Sequence, residues 1–394
     1  MADLPRKKIL IYFPRFSLTH GGGEYLPLAF AAEFQKVGDV TLAVDTRTHL
    51  DSALAFYDMD IDAAELKTVN VFAEDYRPQN GVSPRMAFQR SRKLKKLAKN
   101  ADVCISCANI MDFGRPAHHF LFTVDLGDPG FAEYVKTRRS PKRKGALSAV
   151  RDMAAGAVRR LLGMRTKRAL IRDRSEHIYP NSDYVRSLLQ GYYGSFNGTV
   201  FYPPSVFEID GPPVPRDPLR IVCIGRVCPG KRIEEMIAIV ERARELSGRE
   251  LTFGIAGSAY SEEYRDKLDE LTADRPWVEF PGQLSGREKA EFLCGGTYAL
   301  HAMREEAFGI SVTEYLKAGL IPIVPDEGGA CEVVDAPELS FHTDDGAAAL
   351  LVKLLNDAEF RERQLVHCAK RAEFFSRDAY FERQHKLLKE IVGS

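Results

Sequence analysis

The sequence predicts an α/β protein of two domains, on three observations. Short apolar runs alternate with amphipathic stretches through both halves of the chain. A glycine triplet, Gly21-Gly22-Gly23, follows the first apolar run and precedes an amphipathic stretch at 25–34. Gly211, Pro212, Pro213, Pro215 and Pro218 make a stiff, extended connection between the halves.

A chain of 394 residues has room for two cores. Its 45% hydrophobic and 28% charged residues are those of an ordinary globular protein. Lys+Arg and Asp+Glu both number 55, so no net field selects a partner and local asymmetry has to do so. Lys7 and Lys8 run straight into apolar residues 9–13 with no charged-then-apolar leader, and no apolar run approaches a membrane span. The expected location is the cytoplasm. Seven cysteines scattered over both halves argue against a disulfide framework. Cys104 and Cys107 form a CxxC inside a strand-like run, with no second ligand pair at zinc spacing, so buried thiols are expected.

In the first half, the apolar runs at 8–13, 40–44, 69–72, 103–106 and 120–124 are spaced as strands of a parallel sheet. The glycine triplet lets backbone approach a phosphate or sugar at a helix start, or makes a tight turn without a ligand. The second half opens with a buried strand at 219–225 and a turn carrying Arg226 and Lys231. Two fixed cations at the carboxyl end of a strand can hold a diphosphate and neutralise charge as it leaves, without a metal. Ile233, Met236, Ile237, Val240 and Ala243 then follow at helical spacing. Strands at 251–257 and 278–283 come next.

Residues 298–334 read as strand, loop, helix, strand, loop. The helix covers 309–317, with Gly319 as its stop, and the last loop carries Gly328 and Gly329. Polar groups of such a unit lie at the carboxyl ends of the strands, where open α/β sheets bind ligands. Glu306 falls in the loop and Glu314 inside the helix. A loop carboxylate there can point at a ligand's hydroxyls, and the helix carboxylate reaches the same cleft. Helices are expected at 347–356, 359–374 and 374–391.

Glu306, Phe308, Gly309, Glu314, Ala318, Gly319 and Pro322, at this spacing, resemble the signature of the retaining glycosyltransferases of family 4. The resemblance is strongest over 226–332, fair at 21–24 and poor between 56 and 99. It implies the GT-B fold: two Rossmann-like domains facing across a cleft, with the segments 178–183 and 199–205 resembling the last strands of the first domain and a C-terminal helix crossing back to it. The expected division is 1–205 for the acceptor-binding domain, 206–218 for the linker, 219–373 for the nucleotide-sugar domain and 374–394 for the returning helix. It further implies that Glu306 contacts the donor sugar beside Ala307, Phe308, Gly309 and Ile310, while Glu314 holds the ribose. Arg226 and Lys231 would hold the diphosphate, Gly257 would let the nucleotide approach closely, and backbone around Gly282 and Gln283 would read the base. Gly22 and Gly23 would face the donor, with Gly328, Gly329 and Glu332 beneath it. The GGGE, YPP and AFGISVTEYLKAGLIPIV segments look most like the dolichol-pathway α-1,2-mannosyltransferases. That implies mannose from GDP-mannose, a lipid-linked or membrane-surface glycan as acceptor, and retention at the anomeric carbon. No cofactor and no metal are expected. A UDP-sugar donor, a nucleotide-sugar epimerase and a non-catalytic glycan- or lipid-binding protein are the alternatives.

The sequence departs from that pattern at 120–125, where many members have a histidine near the reacting sugar. Here the residue is Asp125, with His118 and His119 upstream. Asp125 either serves the reaction, by accepting the acceptor hydroxyl's proton or holding sugar hydroxyls, or caps the following turn. Two basic tracts also stand out. Seven cations and no acid lie between Arg85 and Lys99, including Arg90, Arg92, Lys93, Lys95 and Lys96. Fourteen cations against two acids lie between Lys136 and Arg174, including Arg138, Arg139, Lys142, Arg143 and Lys144. A solvated face is one account of them, and nucleic-acid binding lacks any recognition motif. An amphipathic surface on anionic lipid fits best, at about 1 kcal/mol per cation near the surface. The chain is therefore expected as a peripheral protein on the inner face of the membrane.

Overall fold

The structure is a computed structural model, and it describes residues 6–16, 22–47, 49–57, 59–72, 83–138, 161–205, 207–209 and 212–393. The chain divides into two compact units, Met1–Pro204 with Phe381–Ser394, and Ser205–Tyr380.

The first unit contains β1 (Lys7–Phe13), α1 (Gly22–Gln35), β2 (Gly38–Val44), α2 (Leu50–Tyr57), β3 (Lys67–Asn70) and α3 (Pro84–Ala98). It continues with β4 (Val103–Ser106), β5 (His118–Leu121), α4 (Pro129–Thr137), α5 (Lys167–Arg172), β6 (His177–Pro180) and α6 (Asp183–Tyr193). Its sheet runs β3-β2-β1-β4-β5-β6 with every neighbouring pair parallel. Strand order reverses between β1 and β4. The central strand β1 is an unbroken apolar run because helices cover both faces of the sheet; Ile9, Leu10, Ile11 and Tyr12 are all buried. The second unit contains β7 (Arg220–Ile224), α7 (Ile233–Ser247), β8 (Thr252–Ala256), α8 (Glu262–Thr272), β9 (Val278–Gly282) and α9 (Gly286–Cys294). After these come β10 (Tyr298–Leu300), α10 (Ile310–Lys317), β11 (Ile321–Pro325), α11 (Gly329–Val334), β12 (Ser340–Phe341), α12 (Asp344–Asn356) and α13 (Ala358–Phe374). The order β12-β11-β10-β7-β8-β9 repeats the first unit's topology, with the reversal between β7 and β10. The last helix, α14 (Arg377–Gly393), begins in the second unit and ends in the first, where the buried Gln384 amide donates to the Ala29 carbonyl at 3.1 Å.

The predicted helix after the Arg226 turn buries Ile233, Met236, Ile237, Val240 and Ala243, as its spacing requires. α10 ends in a full Schellman motif. Leu320 N donates to Tyr315 O and Gly319 N to Leu316 O, with Gly319 at φ +70°. Cys104 and Cys107 are buried thiols, and burial pushes the Cys104 thiol up to about 12.

Three expectations need correction. No strand forms at 199–205. Thr199 and Phe201 each donate one backbone bond to β6, and then Pro203 and Pro204, which lack an N–H, end the pairing. β5 starts at His118 rather than Phe120, because His118 and His119 find polar partners inside the sheet layer and so sit in a strand that polarity hides. Gly22 and Gly23 lie in the first turn of α1 rather than in a loop before it.

Candidate functional site

In the second unit the crossover point of the sheet is the place to look. β10 pairs with β7 through Tyr298↔Ile221 and Ala299↔Val222, so the loops after both strands leave the same sheet edge side by side. From the β7 side, Pro229–Lys231 forms one 3₁₀ turn and Arg232 takes the left-handed conformation at φ +58°. Arg232 is held there by Asp344 at 3.0 Å and reaches toward the Ala302 carbonyl at 3.5 Å. This ties the β7 loop to the β10 loop. From the β10 side, the Glu306 loop rests on Gly328 and Gly329. Gly329 N donates to Glu306 O at 2.7 Å, and a Cβ on Gly329 would stand 2.4 Å from Ala307 O. A Cβ on Gly328 would meet Arg304 O at 2.5 Å. Only glycine permits this approach.

The two loops bring Lys231 and Glu306 together: Lys231 Nζ lies 2.5 Å from Glu306 Oε2. Burial pushes the Glu306 carboxyl up, but Lys231, His301 and the Ala307 amide more than offset it, and its pKa ends below the usual carboxylate value. His301, the first residue after β10, is only 3% exposed, and its Nε2 stands 3.7 Å from the same Glu306 oxygen. Burial, with the nearby Lys231 charge, lowers the ring's pKa to about 4. Arg226 is exposed, and neither hydrogen bond nor ion pair engages it among the described residues. α10 starts at Gly309, with φ +99° and no side-chain cap, which leaves its first N–H groups available to an anion.

Glu314 is held by a different lysine. It is 6% exposed and bonds Lys289 of α9 at 2.6 Å, with the Lys289 ammonium over the Phe207 ring. Packing of the strand ends itself requires glycine at 257: at φ +155° a Cβ there would lie 1.7 Å from Gly225 O. Gly225 N bonds Ala256 O and Gly257 N bonds Gly282 O, so the three glycines knit the carboxyl ends of β7, β8 and β9. Gly282, at φ +84°, has open space where its side chain would be, and Gln283 beside it is exposed.

In the first unit, Asp45 at the end of β2 receives hydrogen bonds from Tyr12 at 2.9 Å and Arg90 Nε at 3.0 Å. Arg90, expected among the lipid-facing cations, is thus a buried partner with a side chain 14% exposed. Lys95 pairs with Asp112 at 2.7 Å, and Arg138 bonds the Val135 carbonyl and the Tyr184 hydroxyl. Leu94 and Leu97, interleaved with those cations, face the core of this unit. Arg92 and Lys96 are exposed and Lys93 is half-buried. Arg139, Lys142, Arg143 and Lys144 lie outside the described residues, as does Gly21. Asp125 is exposed, and its Oδ1 accepts from Gly127 N at 2.8 Å, the turn-capping arrangement. A part-buried polar network centres on Arg165, which bonds Asp112, Asp173 and Glu176. Glu176 in turn accepts from the fully buried His119 at 3.0 Å. Lys289, His301 and the Asp45–Arg90 pair escaped the sequence reading. Of these only His301, at a strand's carboxyl end just before the glutamate loop, carried a local signal.

Residues 207–373 match the family described as "Glycosyl transferases group 1". Solved structures resemble the chain over nearly its whole length. One from Anabaena, Alr3699/HepE in complex with UDP and glucose, is 13% identical and covers 98% of this chain and 100% of its own, with TM-score 0.63. Another, WaaG, a glycosyltransferase involved in lipopolysaccharide biosynthesis, is 15% identical with TM-score 0.64 and coverage of 98% and 100%. A glycosyltransferase from Rickettsia africae ESF-5 gives 13% identity, TM-score 0.64 and 99% of both chains. The fold is GT-B. Curated relatives in Saccharomyces cerevisiae, the "Phosphatidylinositol N-acetylglucosaminyltransferase GPI3 subunit" of several strains, are 27% identical over 143 residues, 36% of this chain. The match spans 31% of their length, under a third. Among the described residues, no helix is long and apolar enough to cross a membrane.

Proposed function

We propose that this chain transfers a hexose from a nucleotide sugar to a glycan or lipid-linked acceptor, with retention at the anomeric carbon. The observation that supports it is the meeting of Lys231 and Glu306, 2.5 Å apart, from two loops at the crossover point of the second sheet. A lysine that can turn to a phosphate, a carboxylate that can turn to hydroxyls and an uncapped helix start form one set suited to a sugar diphosphate. Arg226, exposed in the same β7 loop as Lys231, would add a second cation to the diphosphate. Glu314 and Lys289 would hold the ribose.

In the reaction the bond from the anomeric carbon to the diphosphate oxygen breaks as positive charge grows on the sugar ring. Lys231, Arg226 and the start of α10 would stabilise the departing negative charge. The acceptor oxygen bonds to the same face of that carbon and its proton passes to the departing diphosphate. Asp125 is proposed to hold the acceptor's hydroxyls in the first unit. No protein nucleophile is required.

For the donor, the resemblance to dolichol-pathway enzymes favours GDP-mannose. A UDP-sugar is the second reading, favoured by the UDP and glucose of the Anabaena neighbour and by the N-acetylglucosaminyltransferase relatives. Thermal shifts with GDP, UDP, ADP and their mannose, glucose and N-acetylglucosamine conjugates test both, since a ligand at 100 Kd stabilises by about 2.7 kcal/mol. A protein that none of them stabilises is not a nucleotide-sugar enzyme. Consumption of donor without an acceptor, yielding an isomerised sugar, would identify an epimerase instead.

Arg92, Lys93 and Lys96, with the cations at 139–144, are proposed to attach the chain to anionic lipid. Sedimentation with anionic vesicles should weaken as salt rises. Equal sedimentation with neutral vesicles would remove this part of the proposal.

A further inference from the structure

His301 sits at the crossover point, fully enclosed, and its Nε2 has no hydrogen-bond partner among the described residues. The Met303 backbone also interacts with the ring. Burial keeps the ring neutral, and in the tautomer with its one proton on the other nitrogen Nε2 carries a lone pair and accepts. Glu306 Oε2, 3.7 Å away, is also an acceptor. Two acceptors held side by side at that spacing need donors placed against both. Lys231 now supplies donors to the carboxylate alone. Unpaired buried acceptors are rare in proteins, and one aimed at a ligand loop asks for a ligand's hydrogen.

We propose that His301 Nε2 and Glu306 together accept hydrogen bonds from two neighbouring hydroxyls of the donor sugar, so that His301 is a sugar-reading residue of the site. The inference rests on the nucleotide-sugar reading above. When Lys231 turns to the diphosphate, Glu306 and His301 are left as a pair of acceptors whose spacing suits a vicinal diol. A sugar with one of those hydroxyls missing or substituted leaves Nε2 buried and unpaired, so the pair selects among donors as well as binding them.

The test compares binding of GDP with GDP-mannose, and UDP with UDP-glucose, to the full chain and its variants by calorimetry. In the wild type one pair defines a reference ratio of the two dissociation constants. His301→Leu, which keeps the volume but not the acceptor, should worsen that ratio about 10-fold while leaving the diphosphate constant within about 3-fold. His301→Gln, which places an amide near Nε2, should recover most of the ratio. A measurement on the wild type needs no variant to fold: the Nε2 resonance of ¹⁵N-histidine-labelled protein should shift upfield with the sugar conjugate and stay with the diphosphate. An unchanged ratio in His301→Leu, or an Nε2 shift that is the same for diphosphate and conjugate, overturns the inference alone. A wild type that binds neither GDP nor UDP overturns the nucleotide-sugar reading and this one with it.

Discussion

At the scale of single residues, the site contrasts two cations with different circumstances. Arg226 is exposed and unengaged, whereas Lys231 neutralises a half-buried carboxylate whose side chain is 18% exposed. Arg226→Ala is therefore expected to leave stability within about 0.5 kcal/mol and to weaken diphosphate binding about 10-fold, read by thermal melts and calorimetry. Lys231→Ala removes the partner of a buried charge. It should cost about 1–3 kcal/mol of stability as well as about 100-fold or more in transfer, in sugar-transfer assays and denaturant melts. His301 adds a pH dependence. Its folded pKa of about 4 lies below the unfolded value near 6.5, so the unfolded chain binds more protons between those limits. Stability should be full above about pH 6.5 and fall as the pH drops toward 4. His118, lowered to about 4 by burial and by the neighbouring His177 and His119, contributes in the same sense. Urea midpoints measured at pH 7 and pH 5 should show the loss, and His118→Gln should flatten it.

At the scale of elements, glycines decide where loops can lie. Gly257→Ala would press a methyl group within 1.7 Å of Gly225 O at a φ that side chains avoid. A loss of about 3 kcal/mol or more is expected. Gly282→Ala meets open space and pays only for its positive φ, about 1 kcal/mol. Thermal denaturation of the two variants side by side checks the difference. Gly329→Ala collides with Ala307 O and Phe308 Cα, so it should displace the Glu306 loop and lower sugar transfer more than it lowers stability. The same scale shows how the basic stretch in α3 divides between core and solvent. Its cations and apolar residues are interleaved at a spacing that suits either a lipid surface or a core. Leu94 and Ala98 chose the core, and Asp45 and Asp112 took two of the cations.

At the scale of the whole molecule, two units of the same strand order are stabilised by different means. The second is knit by glycine-permitted backbone bonds at its strand ends. The first keeps a part-buried ionic network in which Arg165 joins Asp112, Asp173 and the fully buried Glu176, with His119 beyond. Removing one member strands the others, so Glu176→Ala should destabilise the first unit by about 3–5 kcal/mol. It should leave diphosphate affinity unchanged; denaturant melts followed with calorimetry separate the two effects.

The sequence by itself determined the alternation of strands and helices, the position of Gly319 as a helix stop, and the loops that carry Arg226, Lys231 and Glu306. Those features are local: they follow from apolar spacing, from glycine's access to positive φ, and from the polar residues that end each strand. The tertiary structure alone decided which lysine meets which glutamate. Lys231 and Glu306 are far apart in the chain, as are Lys289 and Glu314, and only the parallel order of β7, β10 and their neighbours brings each pair together. It also decided which cations were buried partners, and that His301 keeps an unpaired nitrogen beside Glu306. Burial depends on what packs over a residue from distant elements, and no window of sequence contains that.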